Sequence, residues 1–434
     1  MASEAPALGG TPAPSTAEGS VRWGALFLLA LTILSGVAMQ FSISPLTEAI
    51  KLELGLSDRQ ISYVQGLAVA IPVALLAIPM GRLTDRANRV RLLVAMALIW
   101  SVGTALTAMA TGFASLFAAR MLANIGAILA IPIAISLASD LSRPEQRGRA
   151  LLPLSIGKIA GQAAAFALGG GLFGLLTTHA ALAGGLSAWR GVHIAFAILS
   201  AALILPLLML KEPARRELSN GAGLGFKAAM AAIWARRGLL IPLFIGQVTV
   251  VMADVAALNW APAVLVRDYG LTPAGFAGWM GFVYLLSGLL GSLIGGFSAD
   301  AGRKSRLPRG ILFGAVAAAV LAIPGAFFPL MPGVWGFALL LGLLMLCGNV
   351  TGLVTATAIA VLVPNEIRGV CLGAFMVVGA VIGFGVAPTM TTMISDLLGG
   401  EGQLRYALTI TMAATSVIAA IGFARAMRTG DAEA

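Results

Sequence analysis

Apolar residues run through this chain in twelve long blocks separated by short polar turns. A helix needs about 20 mostly apolar residues to cross the hydrocarbon core of a bilayer. The blocks at 23–47, 60–82, 90–111, 114–140, 149–176 and 189–210 meet that length, as do 239–266, 273–298, 309–330, 333–362, 369–396 and 403–426. The pattern predicts an all-α membrane protein with twelve transmembrane helices, six on each side of the polar stretch Lys211 to Arg237.

Two of the polar turns are written twice. Gly81-Arg82-Leu83-Thr84-Asp85-Arg86 with Arg89 and Arg91 recurs as Gly296-Phe297-Ser298-Ala299-Asp300-Ala301 with Arg303, Lys304 and Arg306, glycine and aspartate keeping one offset of 215 residues (85 to 300). Pro144-Glu145-Gln146-Arg147-Gly148 before the fifth block is matched by Pro364-Asn365-Glu366-Ile367-Arg368-Gly369 before the eleventh. Two turn motifs repeating in the same order indicate two homologous six-helix bundles, an arrangement common among secondary transporters.

Composition fits this reading. With 59% hydrophobic and 11% charged residues, the chain has too few charges to cover a water-soluble globule of its size. Of its 28 Lys and Arg residues, Lys51, Arg59, Arg190, Arg267 and Arg405 fall on one side and Arg120 and Lys158 within spans, while the rest gather in or beside the other side's loops. That bias predicts both termini in the cytoplasm. It accounts for the net charge of +10 without invoking nucleic acid, since no separate basic patch with interleaved aromatics exists. Residues 1–21 are rich in Ala, Pro, Ser, Gly and Thr and carry Glu4 and Glu18 where a secretory signal has a basic start, which predicts a disordered tail and a retained first span. The expected domains are 22–210 and 238–426, joined by a linker at 211–237 and followed by a tail at 427–434. Within the linker, Phe226, Met230, Ile233 and Trp234 share a helical face, which suits either an interfacial helix or the start of the seventh span.

The Gly-x-x-x-Asp-Arg-x-x-Arg turn at Gly81 to Arg89, with its weaker copy at Gly296, resembles the signature loop of the major facilitator superfamily, and the likeness covers nearly the whole chain. Ser44-Pro45-Leu46, Leu54-Gly55-Leu56-Ser57-Asp58, Arg147-Gly148-Arg149-Ala150, Trp189-Arg190, Leu210-Lys211-Glu212-Pro213, and Tyr269-Gly270-Leu271-Thr272 leading to Gly295-Gly296 resemble the spinster-like branch. The resemblance implies two pseudo-symmetric bundles in the major facilitator fold, alternating access, a multi-pass location in the plasma (bacterial inner) membrane, and lipid-like or amphipathic cargo. That branch usually has an Asp-Arg pair in the first span, where this chain reads Val37-Ala38-Met39-Gln40, and a fourth-span glutamate, where it has Ala127. Proton coupling by that branch's usual residues is therefore not carried over.

The repeated turns suggest gates. A carboxylate at Asp85 can accept from the exposed amides at the start of the eleventh span, near Glu366, Arg368 and Gly369. By pseudo-symmetry Asp300, with Arg303, faces the start of the fifth, near Glu145, Arg147 and Gly148. Such contacts exist only when these ends of the bundles touch, so they stabilise the outward-open state. Gly81, Asp85, Arg86 and Arg89 belong to the first turn, whose basic residues equally suit charge orientation and lipid headgroups.

Ionisable residues deep in a span face a cavity or a partner. Three qualify: Arg120 in the fourth block, in a degraded form of the superfamily's fourth-span arginine motif with Asn124 in place of glycine, Lys158 in the fifth, and Asp254 in the seventh. Two cations and one anion leave a positive excess, which favours a small organic anion or an amphipathic molecule with an anionic head. The competing reading is a structural pair, Lys158 with Asp254 or Arg120 with Asp254. Gln40, Gln247 and Asn349 add neutral hydrogen-bonding candidates, and Gln65, Gln162, Asn259 and Tyr284 stand behind them. Asp254 is the candidate for proton coupling because it is the sole mid-span carboxylate. Gly157 and Gly161 form a small-residue stripe for close helix packing, without the Gly-Pro kink of an antiporter-type motif. His179 and His193 are expected near the outer face in hydrated or capping roles.

A secondary active carrier is the leading class, with multidrug efflux as its alternative. Its expected partners are a small-molecule substrate, membrane lipid and protons as coupling ion, with no nucleic acid, no cofactor and no metal, in a monomer. A membrane-embedded enzyme would need clustered carboxylates, a Ser/His pair or metal ligands, and Cys347 and Cys371 in apolar runs with two distant histidines do not supply them. A channel needs only one gate, whereas the duplicated turns provide a pair.

Overall fold

A computed structural model describes residues 23–142, 146–215, 226–305, 307 and 309–428, without the side chains of residues 147, 226–229, 365 and 366. Among the described residues twelve helices are long and apolar enough to span a membrane. The first six are Trp23–Leu54, Asp58–Arg86, Arg89–Ala108, Phe113–Asp140, Gly148–Thr178 and Ala188–Leu208. The second six are Arg237–Arg267, Pro273–Lys304, Gly310–Leu330, Val334–Leu362, Ile367–Leu397 and Glu401–Arg428. They form two six-helix bundles, below called the halves, with the fifth span packed along the eighth and the second against the eleventh. The expected tails and the middle of the linker lie outside the described residues.

Hydropathy placed the centres of these helices well and cut some ends short. The first span continues past the hydrocarbon length through a 3-10 turn at Ser44–Leu46, opened by Pro45, into the polar helix Thr47–Leu54. Glu48, Lys51 and Glu53 of that extension carry charges that an apolar window rejects.

The offset of 215 residues also holds on the face opposite the repeated turns. Gly55 ends the first span at φ +63° and Gly270 follows the seventh at φ +66°, a left-handed conformation that glycine adopts without a Cβ penalty. Two residues later Ser57 and Thr272 each cap the next helix, accepting from the amides of Gln60 and Gly275 at 3.2 Å. Fifth and first spans approach closely through the glycine stripe, Gly157 lying on the backbone of Ala30 and Gly161 on that of Leu34. This seam fixes which face of the fifth span is left for the space between the halves.

The linker begins folded against the first repeated turn. Glu212 accepts from the amide of Val90 at 2.9 Å, and Arg215 donates to the carbonyls of Thr84 and Ala87 at 3.0 and 2.8 Å, covering the open end of the second span. Farther on, Phe226–Ala235 is a helix of its own, separated from the seventh span by Arg236 and packed against the start of the eleventh.

Candidate functional site

On the face opposite the repeated turns, charges from both halves meet. Arg267, ending the seventh span, donates to both carboxylate oxygens of Asp58 at 2.6 Å and to Glu48 at 2.6 Å. Lys51 pairs with Asp58 at 2.6 Å and also with Glu401, while the Asp58 amide donates to Glu401 at 2.7 Å. Arg59 and Asp396 add a pair at 2.6 Å. Glu48, Lys51, Asp58 and Arg59 belong to the first half, and Arg267, Asp396 and Glu401 to the second, so the network closes this face. Asp58 is only 3% exposed, which a carboxylate tolerates because two cations and its own helix start surround it. In the loop beside Arg267, burial raises the Asp268 carboxyl above the usual range, opposed by Arg405 3.5 Å away.

At the repeated turns the halves stand apart. Asp85 and Arg86 are exposed, and a side chain added at Gly81, Gly148 or Gly369 would meet nothing within 4 Å. Among the described residues Asp300 pairs with its neighbour Arg303, at 3.8 Å, and Arg368 donates to Val363 in its own turn at 3.1 Å. Glu145 and the side chains of Arg147 and Glu366 lie outside what is described. Among the described residues, neither Asp85 nor Asp300 touches the opposite half. Among the described residues the halves are therefore joined at one face and apart at the other.

Arg89 stands apart from the other turn residues. It is 2% exposed and pairs with Asp140 and, at 2.8 Å, with Glu212, while donating to Ser136 at 3.0 Å and the Pro213 carbonyl at 3.1 Å. All these partners lie in the first half or the linker, because Arg89 opens the third span and its side chain turns inward under the end of the fourth. It braces one half.

Lys158 of the fifth span and Asp254 of the seventh approach each other across the halves, and Asp254 also borders a small cavity inside the second half with Leu344, Cys347 and Thr351. Lys158 is exposed although it lies at mid-depth, and it acts electrostatically on Asp254 of the other half without an ion pair within 4 Å. Asp254 is half-buried, and its Oδ1 has no hydrogen-bond partner. Its carboxylate lies against Gly348 of the tenth span, where even a methyl group would collide with it.

Arg120 has another setting. It is 1% exposed and donates to the carbonyls of Met39 at 3.0 Å and Gln40 at 2.6 Å, at the end of the first helix. The Met39 carbonyl also accepts from the Ser42 hydroxyl at 2.9 Å, and the dipole of the helix end favours a cation there. His193, buried where a hydrated position was expected, contacts the same corner through Ser42 at 3.4 Å and holds the Trp189 carbonyl at 2.8 Å. Its turn of the sixth span faces the bundle interior. No pair forms between Arg120 and Asp254. Gln247 accepts from Thr355 at 2.9 Å, linking the seventh and tenth spans, and Asn349 donates to the Met345 carbonyl of its own helix at 2.8 Å. Gln40 is half-buried at the inner end of the cavity.

Sequence reasoning missed the closing network, whose residues read singly as loop-edge charges. It also ranked Gln65, Asn124 and Asn259 too low: with Gln40 and Arg120 they line one small cavity of about 10 Å³ beneath that network. Their polarity within apolar blocks was the available signal. Among the described residues, no group of His, Cys, Asp and Glu is arranged to hold a metal ion.

Comparison with known proteins agrees with this geometry. An MFS-type efflux pump of Mycolicibacterium smegmatis is 28% identical over 413 residues, 92% of this chain and 91% of that protein. The 3-(3-hydroxy-phenyl)propionate transporter of Escherichia coli K12 is 28% identical over 319 residues, 72% of this chain and 73% of that one. A crystal structure of a bacterial homolog to the human lysosomal transporter Spinster, inward-facing and unoccupied, shares the fold with a TM-score of 0.79 at 22% identity, covering 96% of this chain and 99% of that one. The family model of the Major Facilitator Superfamily matches residues 27–388, and with twelve spanning helices in two bundles the chain belongs to that superfamily of membrane transporters.

Proposed function

We propose that this transporter moves a small organic anion by alternating access, with Lys158 as the anion's anchor. The observation that carries the reading is an exposed mid-depth lysine near Asp254 of the other half, with no ion pair within 4 Å among the described residues. A carboxylate that reaches it gains a charge-assisted partner without breaking an existing pair. Aromatic carboxylates are the first class to test, since one relative is named for a phenylpropionate. The charge bias of the loops places the repeated turns in the cytoplasm, so the conformation described is open inward.

Asp254 is the proposed proton-coupling carboxylate. Its unpartnered oxygen and the facing Lys158 make its protonation sensitive to an arriving anion. One charge moved through ~100 mV contributes ~2.3 kcal/mol, which biases flux several tens-fold. Efflux of amphipathic compounds is the second reading, favoured by the pump that matches 92% of this chain.

Counterflow in proteoliposomes with a panel of radiolabelled aromatic carboxylates and amphipathic cations tests the assignment. Carboxylates should exchange in wild type and lose about ten-fold or more in Lys158→Ala, the loss of one charge-assisted contact. Exchange of cations alone would favour the efflux reading, and equal carboxylate exchange in both proteins would remove Lys158 from the site.

A further inference from the structure

The cavity beneath the closing network holds four buried polar atoms without partners. Gln65 donates through Nε2 to Thr47 at 2.9 Å, leaving Oε1 bare, and Asn124 donates through Nδ2 to the Ala68 carbonyl at 3.3 Å, leaving Oδ1 bare. Asn259 accepts from Ser44 at 3.1 Å and keeps a bare Nδ2, while Arg120, held by the first helix, keeps a bare Nε. Each of these side chains is at most 5% exposed. A buried polar group without a partner costs about 1–3 kcal/mol, and four in one cavity lead to an occupant.

The unmatched atoms are two acceptors and two donors, so neither a metal cation nor a simple anion satisfies the set. A neutral group that both donates and accepts does. Phe41, Val64 and Phe384 supply apolar walls beside it. The space there, about 10 Å³, admits a single water-sized group, so it takes at most one hydroxyl at the end of a molecule.

The position of that end follows from the helix seam. Gly157 and Gly161 lie on Ala30 and Leu34, which puts Lys158 level with about residue 31 of the first span. Gln40, at the cavity, is nine residues further along, roughly 13 Å at 1.5 Å per residue.

We propose that this amide-lined cavity is the second anchoring point of the transported molecule, receiving a neutral hydroxyl while the anionic end sits at Lys158. The proposal rests on the reading of Lys158 as the anion's anchor. It narrows the substrate class to organic anions with an apolar body and a hydrogen-bonding group at the far end. Because Asn259 and Phe384 belong to one half and Gln65, Asn124 and Arg120 to the other, the far end touches both halves.

Competition for counterflow in the full-length reconstituted protein tests it, using 3-phenylpropionate beside its 3-hydroxy and 4-hydroxy derivatives. In wild type at least one hydroxylated compound should compete about ten-fold better than 3-phenylpropionate, the factor for a matched buried group over an unmatched one. Asn259→Leu and, separately, Gln65→Met should erase that preference while 3-phenylpropionate still competes. The two residues bond to different neighbours, so a shared loss is not a side effect of one broken helix contact. A preference absent in wild type, or kept in both variants, overturns the second anchor. Competition untouched by Lys158→Ala overturns the first anchor instead, and no competition by any compound overturns both.

Discussion

Ser44 donates its hydroxyl to the side-chain carbonyl of Asn259, 3.1 Å away, and the two residues are 215 positions apart. That is the offset of the repeated turns, so equivalent positions of the two halves touch, and the pseudo-two-fold axis passes between them. The same relation joins Gly66, which lies on the backbone of Phe384 and Gly385, to Gly281, which lies on that of Ala163 and Ala167. Contacts on the axis, with the charge network around them, hold one face shut while the other is open.

Arg267 is the centre of that network. Replacing it by Ala leaves Asp58 buried with Lys51 alone, and breaking such a pair costs about 3–5 kcal/mol of the closed state. Ser62, fully buried 3.4 Å from Thr389 and Thr392 across the halves, reports on opening when replaced by cysteine. Thiol labelling at Ser62→Cys, with Cys347 and Cys371 removed, should rise at least ten-fold in Arg267→Ala and less in Arg267→Lys, which keeps the charge and loses the two-pronged geometry. An unchanged rate in both would mean that the network does not hold the face.

Asp85 is exposed and has no ion pair with the other half among the described residues, so Asp85→Asn should leave thermal stability within about 0.5 kcal/mol of wild type. It removes a helix-start contact of the opposite state, worth about 0.3–2 kcal/mol. The variant should therefore label at Ser62→Cys more slowly than its parent and transport more slowly. Faster labelling would assign Asp85 to the wrong state.

Arg89 and Arg86 are three residues apart in one turn and should behave differently. Arg89→Ala removes the buried cation between Asp140 and Glu212 and should lower the unfolding temperature and yield, by the ~3–5 kcal/mol of a broken buried pair. Exposed Arg86 changed to Ala should alter stability by no more than about 0.5 kcal/mol. Equal melting in detergent would contradict the brace.

Gly348→Ala drives a methyl group into the Asp254 carboxylate. Overpacking of this kind costs about 1–3 kcal/mol, so transport should fall about ten-fold while the protein still purifies as a folded species. Wild-type transport by Gly348→Ala would show that the position of Asp254 is unimportant to the cycle.

The spans and the two-fold repeat were legible because hydropathy and turn chemistry are local. Asp85 and Asp300 announced themselves by their shared offset. Asp58, Arg267 and Glu401 could not, since each is an ordinary charge at a helix end and their meeting depends on how two bundles tilt. Arg120 was legible only in part for a related reason: its depth in the fourth span marked it as a candidate, yet depth does not say that its guanidinium is held by the end of the first helix beside the cavity. For Lys158 the same inference reached an exposed side chain, because glycines seat the flanking positions of its helix on the first span.

Two distances measured in one protein test the alternation of the halves most directly. Spin labels at Leu52→Cys and Leu397→Cys report the closed face, and labels at Arg82→Cys and Val370→Cys the open one, all at exposed positions. Arg267→Ala should lengthen the first distance and shorten the second, as two bundles rocking about one axis require. A longer first distance with the second unchanged would contradict the account.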